Sequence, residues 1–199
     1  MPQRLVLASG SEIRQRLLRN ANVQFDVEVA RVDEDMLRRS LCSEGAKPRD
    51  VADALAEIKA LKISEKNPGA LVIGCDQVLD FDGKIMSKPQ TVDEAHAQLT
   101  ALRGQRHSLL SAAVICEDGQ PIWRHVGHVR LRMREFSDDY LSGYLDRNWP
   151  EIRHCVGAYK LEEEGVRLFS RVEGDYFTVL GLPLFELLSY LTLRGELQT

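Results

Sequence analysis

A chain of 199 residues, 44% hydrophobic and 28% charged, is long enough for one large domain with a full core. Its net charge of −4 argues against a general nucleic-acid binder, which would carry a basic face and a high pI, but is compatible with a small basic pocket for one phosphorylated ligand. No run approaches the ~20 apolar residues of a membrane span, the N-terminal apolar run is too short for a signal peptide, and the four cysteines fit neither a zinc nor a C-x-x-C spacing, so a cytoplasmic protein with reduced thiols is expected.

Leu5-Val-Leu-Ala8 reads as a short strand, followed by Ser9-Gly-Ser11 and a helical pattern carrying Ile13, Leu17 and Leu18. Ser11 is the candidate N-cap, and Arg14 falls in the first turn. A strand, a small flexible turn and a helix start with a guanidinium nearby make an anion-binding arrangement. The plainer reading is a βα turn that uses Ser and Gly only for its bend. Val23 to Val32 alternates like a strand and leads into Asp33-Glu34-Asp35. These acids read as a solvated turn, or as carboxylates for a hard divalent cation. Residues 40–48 read as a polar loop. A helix from about Asp50 to Ser64 places Val51, Leu55, Ile58 and Lys62 on one face. Lys59 borders that stripe, where it either snorkels at the core edge or reaches into a cleft.

Ala70-Leu-Val-Ile-Gly74 reads as a buried strand that stops at Gly74, with the acid Asp76 just beyond its end. Asp82-Gly83 between short apolar runs predicts a tight hairpin, which returns Lys88 towards Asp76. Thr91-Val-Asp-Glu94 is a capping box for a helix that ends at Gly104. His107–Cys116 reads as a strand, and Ile122–Arg134 as a half-buried one with Arg130, Arg132 and Arg134 outward. That basic face reads as solvated or acid-paired, with a nucleic-acid surface as the alternative. Ser137 caps a helix to about Arg147, broken at Trp149-Pro150, and Leu184–Leu193 forms a last helix stopped by Gly195. Alternating strands and helices with no linker or repeat imply an α/β fold with a mixed sheet.

Ser9, Ser11, Arg14, Glu34, Lys59, Asp76 and Lys88 together suit a polyphosphate and a divalent metal. The cations spread over phosphate oxygens, and an acid at a strand end orients or deprotonates an attacking water. Neither a Walker loop nor a G-x-S-x-G elbow is present, which leaves water as the expected nucleophile.

The order of these segments resembles the Maf family of nucleotide pyrophosphatases. The resemblance is carried by Leu7-Ala-Ser-Gly-Ser-Glu-Ile-Arg14, Val32-Asp-Glu34, Lys59-Ala60, the strand to Asp76, Lys88-Pro89, Gly157-Ala-Tyr159, Val172-Glu-Gly-Asp175 and Gly181-Leu-Pro183. It implies an elongated two-lobed α/β fold, like that of the inosine-triphosphate pyrophosphatases, with a central cleft in one Maf-like domain spanning 1–199. It implies hydrolysis between the α- and β-phosphates of a nucleoside triphosphate, in a house-cleaning role, with Mg, Mn or Co as cofactor. Asp76 would be the general base, Ser9, Ser11, Arg14, Lys59 and Lys88 would bind phosphates, and Glu34 with Asp76 would hold the metal. Gln77, Glu162 and Ile13 stand where branches of the family differ in base preference. Gln77, Glu162 and Leu168-Phe169 look like the 7-methyl-GTP branch, with Glu162 accepting from a guanine N1–H and amine. Glu12, Ile13 and Ser87 depart from the family's pattern. A homodimer is compatible with this reading, and a non-catalytic nucleotide- or nucleic-acid-binding regulator of cell division is the alternative.

Overall fold

The computed structural model describes residues 3–198, so Met1, Pro2 and Thr199 of the expected 1–199 domain lie outside the described residues. Among the described residues, seven strands share one mixed sheet. They are β1 (Leu5–Leu7), β2 (Asp26–Val27), β3 (Leu71–Phe81), β4 (Lys84–Met86), β5 (Arg106–Glu117), β6 (Gln120–Met133) and β7 (Phe169–Glu173). The sheet order is β2-β1-β3-β5-β6-β7, with β4 also on β3. β1 is parallel to β2 and β3, whereas β3, β5, β6 and β7 are antiparallel in succession. The helices are α1 (Glu12–Asn20), α2 (Glu34–Ser43), α3 (Pro48–Ser64), α4 (Val92–Leu102), α5 (Asp138–Ile152), α6 (Tyr176–Val179) and α7 (Leu184–Leu193). This is the α/β class with the mixed sheet and flanking helices that the pattern of the sequence implies.

β3 organises the layers, because successive side chains of a strand face opposite sides. Val72 and Val78 point towards α3 and join a core with its Val51, Leu55, Ala56 and Ile63. Leu71, Ile73 and Cys75 point the other way, against Leu17 and Leu18 of α1 and Leu184 and Leu187 of α7. Further along, Leu79 packs with Leu99 of α4 and Leu141 and Tyr144 of α5. One half of the sheet is therefore covered on both faces. In the other half, beyond the start of α3, the face opposite α4 and α5 is open and carries Ser108, Arg130 and Arg132.

Several elements differ from the sequence expectation. β3 does not stop at Gly74. It runs on to Phe81, because β5 pairs with it without a break from Leu71 to Asp80, so Asp76 lies mid-strand. The alternating stretch from Val23 to Val32 keeps only the two residues of β2, since its partner β1 is three residues long. Asp33-Glu34-Asp35 is the start of α2, with the Asp33 side chain accepting from Met36 N at 2.9 Å, and α2 takes residues 40–43 of the expected polar loop, leaving 44–47 as the connection to α3. On α3 the buried face is Val51, Ala52, Leu55, Ala56, Lys59, Ala60 and Ile63, so Lys59 sits within it and Lys62 is outside. α5 continues through Pro150 to Ile152.

Candidate functional site

The outer edge of β3 has two neighbours. β1 pairs with Leu71–Ile73 and β4 with Leu79–Phe81, and between them the edge of residues 74–78 has no strand partner among the described residues. Open α/β sheets bind ligands where the strand neighbour changes. A cleft of about 1000 Å³ opens at this gap. All ten residues singled out in the sequence line it: Ser9, Ser11, Ile13, Arg14, Glu34, Lys59, Asp76, Gln77, Lys88 and Glu162.

Asp76 and Lys59 meet because Gly74 lets α3 lie directly on β3. A Cβ at Gly74 would stand 2.1 Å from the Ala56 carbonyl oxygen and 2.6 Å from the Ala60 amide nitrogen. With that contact made, Lys59 Nζ lies 2.7 Å from Asp76 Oδ1 and 2.9 Å from Glu34 Oε1. Lys59 and Asp76 are buried, and Glu34 reaches in from the head of α2. Burial pushes the Glu34 carboxyl up, but Lys59, with Lys88 and Arg14 behind it, outweighs burial and holds it below the ordinary carboxylate range. Asp76 Oδ2 is buried and has no hydrogen-bond partner among the described residues. The neighbouring Cys75 thiol is pushed up to about 11 by burial, so it stays protonated at neutral pH.

The opposite wall is the start of α1. Ser11 occupies the N-cap position, but its side chain makes no cap hydrogen bond. Its amide instead donates to Ser9 Oγ at 3.3 Å. Ser11 to Arg14 line the cleft, and the first-turn amides of a helix have no intrahelical partner, which suits an anion at such a start. Arg14 ties the walls together: Nε donates to the Gly181 carbonyl at 2.8 Å, and Nη1 to the Cys75 carbonyl at 3.1 Å and Ser9 Oγ at 3.3 Å. Gly181 has φ +94°, and a Cβ there would stand 3.2 Å from Arg14 Nε. Lys88 follows the Asp82-Gly83 hairpin as expected, and among the described residues its ammonium has no carboxylate in ion-pair range.

Gln77, next to Asp76, faces the other side of β3. Its amide nitrogen donates to Ser111 Oγ at 2.9 Å, the Thr178 carbonyl at 3.2 Å and the Val179 carbonyl at 2.9 Å. Those donors are therefore spent on fastening α6, and the amide oxygen is the group left for a ligand. Ile13 and Glu162 stand elsewhere on the cleft wall.

Two contributors have no role assigned from the sequence. Arg38 of α2 lines the cleft and donates to Ser87 Oγ at 3.4 Å, bridging α2 to the hairpin. Tyr159 lines the cleft and shares a 2.8 Å hydrogen bond with the buried His107. Gly157-Ala-Tyr159 marks the tyrosine, but nothing local marks His107, which lies 52 positions away.

Among the described residues no group of three or more His, Cys, Asp or Glu side chains gathers to hold a metal unaided. Glu34 and Asp76, two carboxylates around one ammonium with an unpartnered buried oxygen, nevertheless fit a hard divalent cation. Such ions are commonly held by one or two carboxylates, with water and substrate phosphates completing the shell.

The chain is similar to known proteins along nearly its whole length. The chain is 66% identical over 197 residues, 99% of each chain, to a protein of Roseobacter denitrificans named nucleoside triphosphate pyrophosphatase. A protein of the same name from Ruegeria pomeroyi is 64% identical over 195 residues, 98% of each chain. A Brucella abortus protein named 7-methyl-GTP pyrophosphatase is 44% identical over 191 residues, 96% of each chain. The sequence matches the family described as Maf-like protein over residues 4–193, nearly its whole length, and the chain belongs to that family.

Proposed function

We propose that the cleft hydrolyses nucleoside triphosphates to a nucleoside monophosphate and pyrophosphate. The observation that carries this reading is the buried, unpartnered Oδ2 of Asp76, a residue lining a cleft whose other walls supply Lys88, Arg14 and the start of α1. Asp76 accepts a proton from water as the water oxygen bonds to phosphorus, the α–β anhydride P–O bond breaks, and pyrophosphate leaves with the bond's electron pair. Lys59 holds Asp76 and Glu34 in place and offsets their charge. Lys88, the amides of α1 and the Arg14 guanidinium neutralise the phosphate oxygens. A divalent cation on Glu34 and Asp76 would supply further charge neutralisation at the phosphates.

On the base side, Glu162 accepts hydrogen bonds from a guanine N1–H and amine, and the Gln77 amide oxygen is a second acceptor. This supports a guanine nucleotide, 7-methyl-GTP among them, over a pyrimidine one. The Brucella abortus protein's name points the same way. The test is a screen of natural and modified triphosphates with Mg²⁺, Mn²⁺ or Co²⁺, read by pyrophosphate release and repeated in excess chelator. Release that favours 7-methyl-GTP and stops with chelator agrees. Preference for dTTP and UTP overturns the base assignment, and no release from any triphosphate overturns the reaction.

A further inference from the structure

The open half of the sheet carries a second hollow of about 210 Å³, which shares no lining residue with the cleft. Its walls are set by register. Arg106 of β5 stands directly opposite Arg132 of β6, and Arg132 opposite Arg171 of β7. On one face of an antiparallel sheet such neighbours have Cβ atoms about 5 Å apart, and like charges there repel. Arg130, two residues from Arg132, adds a further guanidinium to the same face. Arg171 is neutralised by Glu173 at 2.6 Å. Among the described residues no carboxylate lies in ion-pair range of Arg106, Arg130 or Arg132. The fold thus holds three guanidiniums around a concavity with no acid in ion-pair range of them, although Glu173 stands opposite Arg130 in register and Asp80 and Asp82 line the same hollow.

We propose that this hollow is an anion site separate from the cleft, and that it takes a compact phosphate-bearing anion such as pyrophosphate or the phosphate tail of a nucleotide. Guanidinium forks match phosphate oxygens in pairs, and the lining Ser108 hydroxyl, which shares a 2.9 Å hydrogen bond with His128 Nε2, retains capacity for one more partner. Asp80, Asp82 and Glu173, which line the same hollow, and the net charge of −4 set a limit on size. A compact anion fits between these acids, whereas a long nucleic-acid backbone would run across them.

The test is equilibrium dialysis with labelled pyrophosphate, and in parallel with a non-hydrolysable nucleoside triphosphate, on Arg14→Ala/Lys88→Ala protein, in which the cleft is weakened. One equivalent of anion should remain bound, and adding Arg106→Gln/Arg132→Gln should weaken that binding at least ten-fold. Retention of pyrophosphate alone or of the nucleotide alone says which source the site takes. In an otherwise native chain, Arg106→Gln/Arg132→Gln should melt no lower than wild type in phosphate-free buffer, and pyrophosphate should add less to its melting temperature than to that of wild type. Unchanged binding after the glutamine substitutions overturns the site, as does duplex DNA bound more tightly than pyrophosphate. Triphosphate hydrolysis by Arg106→Gln/Arg132→Gln is a separate readout, so failure of this site and failure of the proposed reaction are told apart.

Discussion

Lys59 Nζ stands 2.7 Å from Asp76 Oδ1 while also holding Glu34, so a single ammonium keeps the two cleft carboxylates together. The contact joins a helix to a mid-strand position and is enclosed by both. Removing either partner has a distinct consequence.

Asp76→Asn keeps the side-chain shape and a hydrogen-bonding oxygen for Lys59, but removes the proton acceptor. Pyrophosphate release should fall by about 10² to 10⁴-fold, with the thermal unfolding transition close to that of wild type. Activity within a few-fold of wild type would show that Asp76 is not the base.

Lys59→Met leaves Asp76 buried beside Glu34 with no counter-charge in contact, since Lys88 and Arg14 act on Glu34 only from behind. Breaking a buried pair in this way costs about 3–5 kcal/mol of stability, measurable by urea unfolding. Because a divalent cation fits the same carboxylates, added Mg²⁺ should raise the melting temperature of the variant more than that of wild type. An equal response in both proteins would place the metal elsewhere.

Gly74→Ala tests the approach of α3 to β3. The new Cβ would overlap the Ala56 carbonyl oxygen at 2.1 Å, and that atom belongs to backbone, so the helix must move. Overpacking of this kind costs about 1–3 kcal/mol or more, and the displacement also parts Lys59 from Asp76. Loss of both stability and proposed activity is expected. A variant as stable as wild type would mean the helix shifts freely.

His107 tests the acid side. Burial lowers its pKa from the ordinary 6.5 to about 4, so the unfolded chain binds a proton that the folded chain refuses between those values. The stability His107 supports is present above pH 6.5 and is lost as the pH falls through about 4. Between pH 7 and pH 4 wild type should lose about 3 kcal/mol more than a His107→Phe variant, read from urea midpoints across the range. Parallel curves would mean that His107 protonates in place.

The legible parts of the sequence are those where local chemistry and burial agree. Thr91 and Glu94 mark the start of α4, and the Thr91 side chain accepts from Glu94 N at 3.1 Å. Asp82-Gly83 places the hairpin, and the apolar run 184–193 is α7 from end to end. α2 escapes detection because its apolar face is only Leu37 and Leu41, four residues apart and partly buried against the core, with no fully buried residue in the helix. The passage of β3 through Asp76 depends on β5, more than thirty residues later, which no local pattern reports. Lys59 looks peripheral in sequence, and only its two acid partners make burial of a lysine tolerable. The site residues gather in one cleft because their motifs lie on segments that converge at the gap in the β3 edge.

The alternation of β3 at Asp76 and Gln77 has a consequence for how such proteins diversify. Neighbours in sequence, the two side chains face different layers: Asp76 belongs to the α3 side and Gln77 to the α6 side. A mutation at 77 repacks the support of the Thr178–Gly181 segment without entering the layer that holds Lys59 and Asp76. One strand thus lets selection act on two neighbouring positions almost independently, so a lineage can change what the cleft accommodates while inheriting its acid and lysine intact.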